Sequence, residues 1–366
     1  MDFGLSEDQV LLKDTVHRYL ETECPTTRVR SIMESDDGHD TRLWRGLAEL
    51  GMPGLIVPAR FGGSELEILD LALIAEERGW AATPGPFLGC AMATVALGES
   101  DSEDAKAAWL PRIASGEALP TFALGEKVGE WDAAKLEARV ETTPEGERLS
   151  GEKPLVPYAG VSNVILVAAH DADGPGLWLV EGDAPGIEVT PIKGNDMTRR
   201  LDTVRFDSTP AIKVASGRSA IDRARDVGLV LIAADSYGGA NRCLRMTAEY
   251  ATTREQFGQV IGAFQGVKHQ LANMATDLEP SLSLWWYTAH AMDHIRDKAE
   301  RHAALAKAHL TDIYDSTVRY AIELHGGIGF TWEFDLHLWF RRALFNRSYL
   351  GGSTYQRRRA TDLADW

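Results

Sequence analysis

One stretch of the chain combines residue types that suit a nucleotide. "REQFGQVIGAFQ" runs from Arg254 to Gln265 and follows a long helical pattern. The guanidinium of Arg254 can match phosphate oxygens bidentately, backbone amides at a helix end can add further donors, and the ring of Phe257 can lie against a purine. Spacing alone leaves an alternative open, in which Arg254 favours the helix dipole and Phe257 belongs to the core.

A second candidate is the glycine-rich segment from His325 to Gly329, which reads HGGIG. Glycines let a backbone approach a ligand closely. The segment does not follow a predicted strand, so it is not a Rossmann fingerprint. A turn that ends a helix is the alternative interpretation.

Other catalytic signatures do not occur in the sequence. His337 lies near Glu333 and Asp335, but this spacing is not that of an HExxH zinc site and predicts a structural aromatic helix. There is no G-x-S-x-G elbow and no P-loop. We therefore expect no metal site.

The composition argues against several classes of function. The 366 residues include 54 acidic and 38 basic side chains, for a formal net charge of -16. Such a chain is a poor candidate for binding nucleic acid or an anionic membrane. The three cysteines form no CxxC pair, which indicates a reducing compartment. Without a signal-peptide pattern or an apolar run of membrane-spanning length, a cytoplasmic protein is expected.

Hydrophobic periodicity divides the chain into three parts. Amphipathic patterns predict helices up to about Gly116. A capping box of Ser6 and Gln9 opens the first, and Gly51 is expected to end a later one. Short runs rich in β-branched residues, separated by turn clusters, then predict a small antiparallel β unit. Long helical patterns return after Pro210 and predict a bundle.

The predicted fold is therefore mainly α with a β middle domain. The long helices are expected at residues 217–252, 265–297, 299–325 and 334–346. The predicted domains are a helical N-terminal domain (1–117), a β middle domain (118–212) and a C-terminal four-helix bundle (213–366).

Four segments, taken in order and with their spacing, resemble the acyl-CoA dehydrogenase family over essentially the whole chain. They are "MDFGLSEDQ", "RGLAELGMPGLIVPARFGG", "TTREQFGQVIGAFQGVKHQLANM" and "ELHGGIGFTWEFDLHLWFRRA". The resemblance implies a helical N-terminal domain, a β middle domain and a C-terminal four-helix bundle. It also implies FAD, acyl-CoA thioester substrates, and assembly as dimers of dimers.

The resemblance assigns a role to the stretch that starts at Arg254. In the family, the arginine, phenylalanine and glutamine of R-x-x-F-G…FQ bind the ADP half of a flavin lodged in the neighbouring subunit. Here these are Arg254, Phe257 and Gln265, with Gln256 adjacent. The family's Q-x-x-G-G segment completes the cradle and corresponds to Glu323, Gly326 and Gly327, with Glu323 in place of the usual glutamine.

The same comparison shows no catalytic base. The family abstracts the α-proton of the thioester with a glutamate in a Tyr-Glu-Gly-Thr segment, where this chain has Leu350. Some members carry the base one helix-length before R-x-x-F-G, where this chain has Gly228 and Leu229. Asp226 is the nearest substitute, and a solvated aspartate paired with Arg223 or Arg225 is the alternative.

The flavin-ring segments of the family also lose their functional residues. Gly125 replaces the threonine of the family's Thr-Glu-Pro loop. Leu155 and Pro157 replace the tryptophan and threonine that line the isoalloxazine. The catalytic residues of this chain are therefore unknown.

This asymmetry suggests one chain of a bacterial α2β2 acyl-CoA dehydrogenase, such as those of steroid side-chain degradation. The chain would hold the nucleotide end of a flavin whose ring pocket and base belong to a second family chain. Two alternatives stay open. One is a stand-alone flavoenzyme whose chemistry needs no glutamate base, and the other is a non-catalytic family member.

Overall fold

The structure is a computed structural model that describes residues 4–127 and 129–364. The first three residues of the opening motif and the outer ends of the first and last predicted domains therefore lie outside it. The chain forms two compact units, here called the helical unit and the mixed unit. The helical unit comprises the chain up to Arg30, Ala72–Thr83, and the chain from Leu229 onward. The mixed unit comprises Ser31–Leu71 and Pro84–Gly228.

The helices dominate both the beginning and the end of the chain. The first group is α1 (Glu7–Glu23), α2 (Thr26–Met33), α3 (Thr41–Glu49), α4 (Ile68–Trp80), α5 (Phe87–Gly98) and α6 (Glu103–Ala114). The second group is α7 (Ser219–Thr253), α8 (Gln265–Leu278), α9 (Ser281–His294), α10 (Arg296–His325), α11 (Leu336–Ser348) and α12 (Ser353–Asp362). Within the described ranges, no helix combines the length and apolar character that a membrane span requires.

Local sequence explains where several of these helices begin and end. The capping box is formed, since the Ser6 hydroxyl accepts from the Gln9 N–H at 3.2 Å and the Gln9 side chain accepts from the Ser6 N–H at 3.0 Å. The Asp40 side chain caps α3 by accepting from the Leu43 N–H at 2.9 Å, and Gly51 follows that helix with φ 79°. The capping-box prediction and the predicted helix end at Gly51 are confirmed.

One predicted helix is wrong in its extent. The pattern over residues 265–297 is not one helix but two, α8 and α9, which meet at Glu279 and Pro280. Proline has no N–H to donate and its ring crowds the preceding turn, so the amphipathic pattern continues while the hydrogen-bond ladder does not.

Close backbone contact holds the helical unit together where α4 and α7 cross. A Cβ on Gly238 would lie 1.9 Å from the carbonyl oxygen of Glu76, so only glycine fits there. Beside this contact, Arg342 on α11 donates two hydrogen bonds to Asp235 at 2.9 and 2.6 Å. Both side chains are almost fully buried, and a buried charge is tolerated when it is paired in this way.

The strands of the mixed unit form one sheet. They are β1 (Pro120–Ala123), β2 (Arg139–Thr143), β3 (Gly146–Pro157), β4 (Val164–Asp171), β5 (Gly174–Glu181), β6 (Ile187–Ile192) and β7 (Leu201–Ser216). Pairing runs β4-β2-β3-β7-β5 and returns from β5 to β4, which closes a ring, while β1 joins β4 and β6 joins β7. Trp178 and its buried apolar neighbours form a hydrophobic core in this unit.

The antiparallel prediction is correct for most of this sheet and wrong for part of it. β2–β3, β3–β7, β4–β5, β5–β7 and β6–β7 pair antiparallel. β1 pairs parallel with β4, and the single residue pair that joins β2 to β4 is also parallel. Parallel neighbours need a longer crossover than a hairpin, and the segment after β1 provides one.

Candidate cofactor-binding site

A short hairpin presents Phe257 at its tip. α7 ends at Thr253, and the chain then forms β8 (Glu255–Gln256) and β9 (Gln259–Val260). Gln256 pairs with Gln259 across a two-residue loop, in which Phe257 has φ 55° and Gly258 has φ 80°. Positive φ at both positions is the type I′ geometry, which a phenylalanine rarely adopts. The Phe257 side chain is 93% exposed, so its strained position does not serve burial within this chain.

The polar residues beside the hairpin are open to solvent. Arg254 is exposed, and no ion pair or hydrogen bond to its guanidinium occurs among the described residues. Gln256 is exposed and its side-chain amide donates to the backbone carbonyl of Glu255 at 2.8 Å. A guanidinium that no protein group occupies is available to an anion.

The N-terminus of α8 adds backbone donors to the same region. The helix begins at Gln265, which is exposed, and its N-cap residue Phe264 makes no side-chain cap. A Cβ on Gly266 would meet nothing within 4 Å. Uncapped N–H groups at the start of a 14-residue helix favour a negatively charged group.

The end of α10 forms the second half of the candidate site. Gly326 ends the helix with φ 65° and ψ −142°, a backbone conformation that suits glycine. Gly326 and Gly327 are exposed, and a Cβ on either would meet nothing within 4 Å. Gly327 is therefore not required by packing inside this chain, which fits a ligand that approaches the backbone.

A ring contact joins the two halves. His325 precedes Gly326, and Tyr250 lies one turn before Arg254. The two rings stack, with their centroids 4.3 Å apart. The His325 ring is held in turn by its Nδ1, 2.7 Å from the carbonyl oxygen of Ala321. The structure thus brings together the segments of Arg254 and Gly326, although 72 positions separate them in the sequence.

Glu323 lies on the last turn of α10 and is exposed. Within the described residues its carboxylate has no ion pair or hydrogen bond. A carboxylate is unfavourable at the C-terminal end of a helix dipole, and no residue in the described ranges forms an ion pair with this one. Its position stays compatible with a donor supplied from outside the chain.

These features fit the nucleotide end of FAD. Phosphates need cations and N–H donors, which Arg254 and the start of α8 provide. A purine needs an apolar ring, which Phe257 presents. Gly326 and Gly327 leave room for a close approach of the ligand to the backbone. The assignment of individual contacts stays a prediction.

The position expected for the catalytic base is closed. Leu350 has φ 57° and is fully buried, so neither its side chain nor its backbone faces an open pocket. Its carbonyl oxygen accepts from the buried Gln356 side chain at 2.5 Å. A Cβ on Gly351 would lie 2.5 Å from the Tyr355 ring, so the turn is packed on both sides.

Lys307 stabilises the same turn. This role was not identified from the sequence. The Lys307 ammonium donates to the carbonyl oxygens of Arg347, at 2.9 Å, and of Gly351. Burial lowers the pKa of Lys307 to about 7. A lysine in an otherwise amphipathic helix gives no local signal that it is buried, so only the packed structure reveals this role.

The alternative position for a base is also unsuited to the task. Leu229 is fully buried. Asp226 is 4% exposed and lies 3.1 Å from the Arg225 guanidinium. The expected pairing with Arg225 is therefore present, but the expectation of a solvated aspartate is wrong because both partners are buried.

The segments that correspond to the flavin-ring pocket are tightly packed within the mixed unit. A Cβ on Gly125 would lie 3.0 Å from the Pro154 carbonyl oxygen, which leaves little space for a threonine side chain. Leu155 has φ 59°, and the Pro157 carbonyl oxygen accepts from the Thr121 hydroxyl at 2.5 Å. These contacts are consistent with a structural role for the segment.

A buried ion pair joins the segment that contains Gly125 to the segment that contains Leu155. Lys153 donates to the carboxylate of Glu126 and, at 3.3 Å, to the carbonyl oxygen of Leu124. Both charged side chains are almost fully buried, and burial lowers the pKa of Lys153 to about 8. The pair was not predicted, because the sequence does not mark which charged residue of each segment turns inward.

Comparison with known proteins shows the family of this chain. Residues 6–117 match the model of the acyl-CoA dehydrogenase N-terminal domain, and residues 215–362 match that of the C-terminal domain. The acyl-CoA dehydrogenase IpdE2 of Mycolicibacterium smegmatis is 31% identical over 356 residues, which is 97% of this chain and 98% of the relative.

Two solved structures are similar along almost their whole length. A variant of the Tcur3481–Tcur3483 steroid ACAD has a TM-score of 0.90 and 30% identity, covering 98% of this chain and 97% of that chain. The ChsE4–ChsE5 complex from Mycobacterium tuberculosis has a TM-score of 0.89 and 26% identity, covering 99% and 98%. This chain belongs to the acyl-CoA dehydrogenase family. The predicted family, and the order of helical, β and helical regions, are confirmed.

Proposed function

We propose that this chain is one subunit of a hetero-oligomeric, FAD-dependent acyl-CoA dehydrogenase. It holds the ADP end of the flavin, and a second family chain contributes the catalytic base and the ring pocket. The residues assigned to the cradle are Arg254, Gln256, Phe257, Gln265, Glu323, Gly326 and Gly327.

One contrast within this chain carries the proposal: the expected nucleotide cradle is open to solvent, whereas the expected position of the catalytic base is closed. Arg254 and Phe257 are exposed, and no group of this chain engages the Arg254 guanidinium among the described residues. Leu350 is fully buried in a turn fixed by Lys307 and Gln356. A subunit built in this way offers a surface for a nucleotide and no base of its own.

Four of the cradle residues have a definite task. Arg254 binds phosphate oxygens, and the first N–H groups of α8 add donors to them. Phe257 covers the purine face, while Gly326 and Gly327 let the nucleotide reach the backbone. FAD held by these residues would supply the acceptor for the hydride that leaves the β-carbon of the acyl-CoA. A carboxylate of the partner chain removes the α-proton in a site that excludes water.

The relatives support the kind of partner and substrate. The ChsE4–ChsE5 complex and the Tcur3481–Tcur3483 steroid ACAD each name two chains, which favours an unlike partner here. We therefore expect an α2β2 particle that assembles through a C-terminal four-helix bundle. A steroid-derived acyl group on the CoA thioester follows from the likeness to the steroid ACAD.

The absorption spectrum tests the proposal. The chain purified alone should lack the visible flavin band, and the chain purified with its partner should show it. Reduction of that band by an acyl-CoA should require both chains. A flavin band in the chain alone that an acyl-CoA reduces would favour the stand-alone flavoenzyme. Lack of flavin in the joint complex would favour a non-catalytic member.

A further inference from the structure

A cavity of about 230 Å³ opens within the helical unit, among α1, the end of α4, α7 and α11. Its lining combines charged, aromatic and apolar side chains: His17, Leu20, Glu77, Trp80, Arg242 and Trp339 are among them. None of these residues belongs to the flavin cradle or to the Leu350 turn. The cavity therefore needs its own explanation.

Arg242 is the central feature of this cavity. Its guanidinium carbon lies 5.3 Å from the ring centre of Trp80 and 5.9 Å from that of Trp339. In the described part of the chain, the guanidinium has no ion pair and no hydrogen bond. Acidic side chains outnumber basic ones by 54 to 38, so a half-buried guanidinium without a carboxylate partner is unexpected in this composition.

The carboxylates that line the cavity do not fill this role. Glu77 contacts other groups, since it lies 2.6 Å from Nδ1 of His17 and 3.6 Å from Nζ of Lys13. Glu21 is exposed at the edge, where water screens it. The positive charge of Arg242 thus faces the cavity without a partner inside it.

The aromatic walls are fixed in place. Nε1 of Trp339 donates to the carbonyl oxygens of Gly79, at 3.1 Å, and of Trp80, at 3.2 Å. This anchors one indole to the backbone that carries the other. An anchored indole close to a guanidinium suits a flat ligand, because little side-chain entropy is lost on binding.

We propose that this cavity binds a small planar monocarboxylic acid. The carboxylate accepts a two-point hydrogen bond from Arg242, and the ring packs beside the indoles of Trp80 and Trp339. The volume is below the roughly 300–1,000 Å³ of drug-sized sites, so the acid has a single ring or a comparable apolar body. The site is independent of the flavin cradle.

Calorimetric titration of the complex of this chain and its partner with benzoate tests the proposal, and benzamide serves as the neutral molecule of the same shape. We expect saturable binding of one benzoate per copy of this chain, with benzamide at least tenfold weaker. Arg242→Gln should weaken benzoate at least tenfold, and Arg242→Lys, which keeps the charge but loses the planar fork, by a smaller factor.

Arg245→Gln is the matched control, because Arg245 is an exposed arginine on the same helix. It should leave benzoate affinity unchanged, and all variants should keep the wild-type flavin content. Lack of saturable benzoate binding, equal binding of benzamide, or unchanged affinity in Arg242→Gln would each overturn the proposal. The benzamide comparison uses the wild-type protein, so it holds even if a variant fails to fold.

Discussion

Tyr250 and His325 stack face to face, with ring centroids 4.3 Å apart and planes inclined by 22°. The contact fixes the end of α7 against the end of α10. It places Arg254, one turn beyond Tyr250, on the same side as Gly326, which follows His325. The candidate cradle therefore has a rigid support in this chain, although its ligand is expected to lie in a neighbouring subunit.

Replacement of Arg254 by alanine should release the flavin. A lost charge-assisted hydrogen bond costs about 1.5–3 kcal/mol, which weakens binding by a factor of about 10 to 100. The ratio of flavin to protein after gel filtration of the joint complex measures this loss. Arg245→Ala is the control and should keep its flavin. Normal flavin content in Arg254→Ala would remove this residue from the cradle.

Phe257→Asn should preserve folding and reduce the retention of the flavin. Asn-Gly is a preferred pair for a type I′ turn, so the hairpin should be as stable as before or more so. The aromatic face for the purine is lost, and the flavin should dissociate more readily. Urea unfolding and flavin content together give the result. A variant that keeps wild-type flavin would show that the strained phenylalanine does not serve the nucleotide.

Leu350→Glu should not create an active dehydrogenase from this chain alone. The carboxylate would enter a fully buried turn, at a cost on the order of 3 kcal/mol in unfolding free energy. Urea unfolding measures the cost, and Leu350→Met, which conserves volume, should lose much less. Clear activity of the glutamate variant with an acyl-CoA and an artificial acceptor would show that this chain has its own ring pocket.

Glu76 should make stability depend on pH. Burial raises the pKa of its carboxyl group from 4.5 to about 7, even though Nζ of Lys13 lies 2.7 Å away. A raised acid pKa adds stability below the unfolded value and loses it as pH rises through the folded value. Stability relative to Glu76→Gln should therefore fall between pH 5 and 8, by at most about 3 kcal/mol.

Thermal unfolding of both proteins across this pH range checks the sign. Glu49→Gln removes an exposed carboxylate and should follow the wild-type curve. Parallel curves for wild type and Glu76→Gln would contradict the assignment, and so would a wild-type stability that rises relative to Glu76→Gln as the pH rises.

Local sequence signals predicted much of the fold. The capping box at Ser6 and the glycine at Gly51 act on neighbouring backbone groups. The helix start and the helix end that they specify could therefore be predicted without the rest of the chain. α5 gives no amphipathic signal, because it is buried all round and shows no polar face. β3 gives no clear alternating signal, because glycines and prolines interrupt it, and two register shifts accommodate them.

The candidate site was less predictable from residue types alone. Residue types made Arg254 and Phe257 candidates but left a structural alternative open, since an arginine and a phenylalanine near a helix end are common; only the family resemblance favoured the nucleotide role. Lys307 and the pair of Lys153 with Glu126 depend on contacts between distant segments, and no local pattern specifies those. The same holds for Arg242, whose significance lies in the acidic partner it does not have within the described chain.

Native mass determination with flavin stoichiometry tests the central proposal most directly. Flavin bound only across unlike subunits stabilises that assembly by mass action. Co-expression with the partner should therefore give an α2β2 particle with about one FAD for each unlike pair. The chain expressed alone should be poorly soluble or free of flavin. A stable homotetramer of this chain carrying one FAD in every subunit would contradict the account.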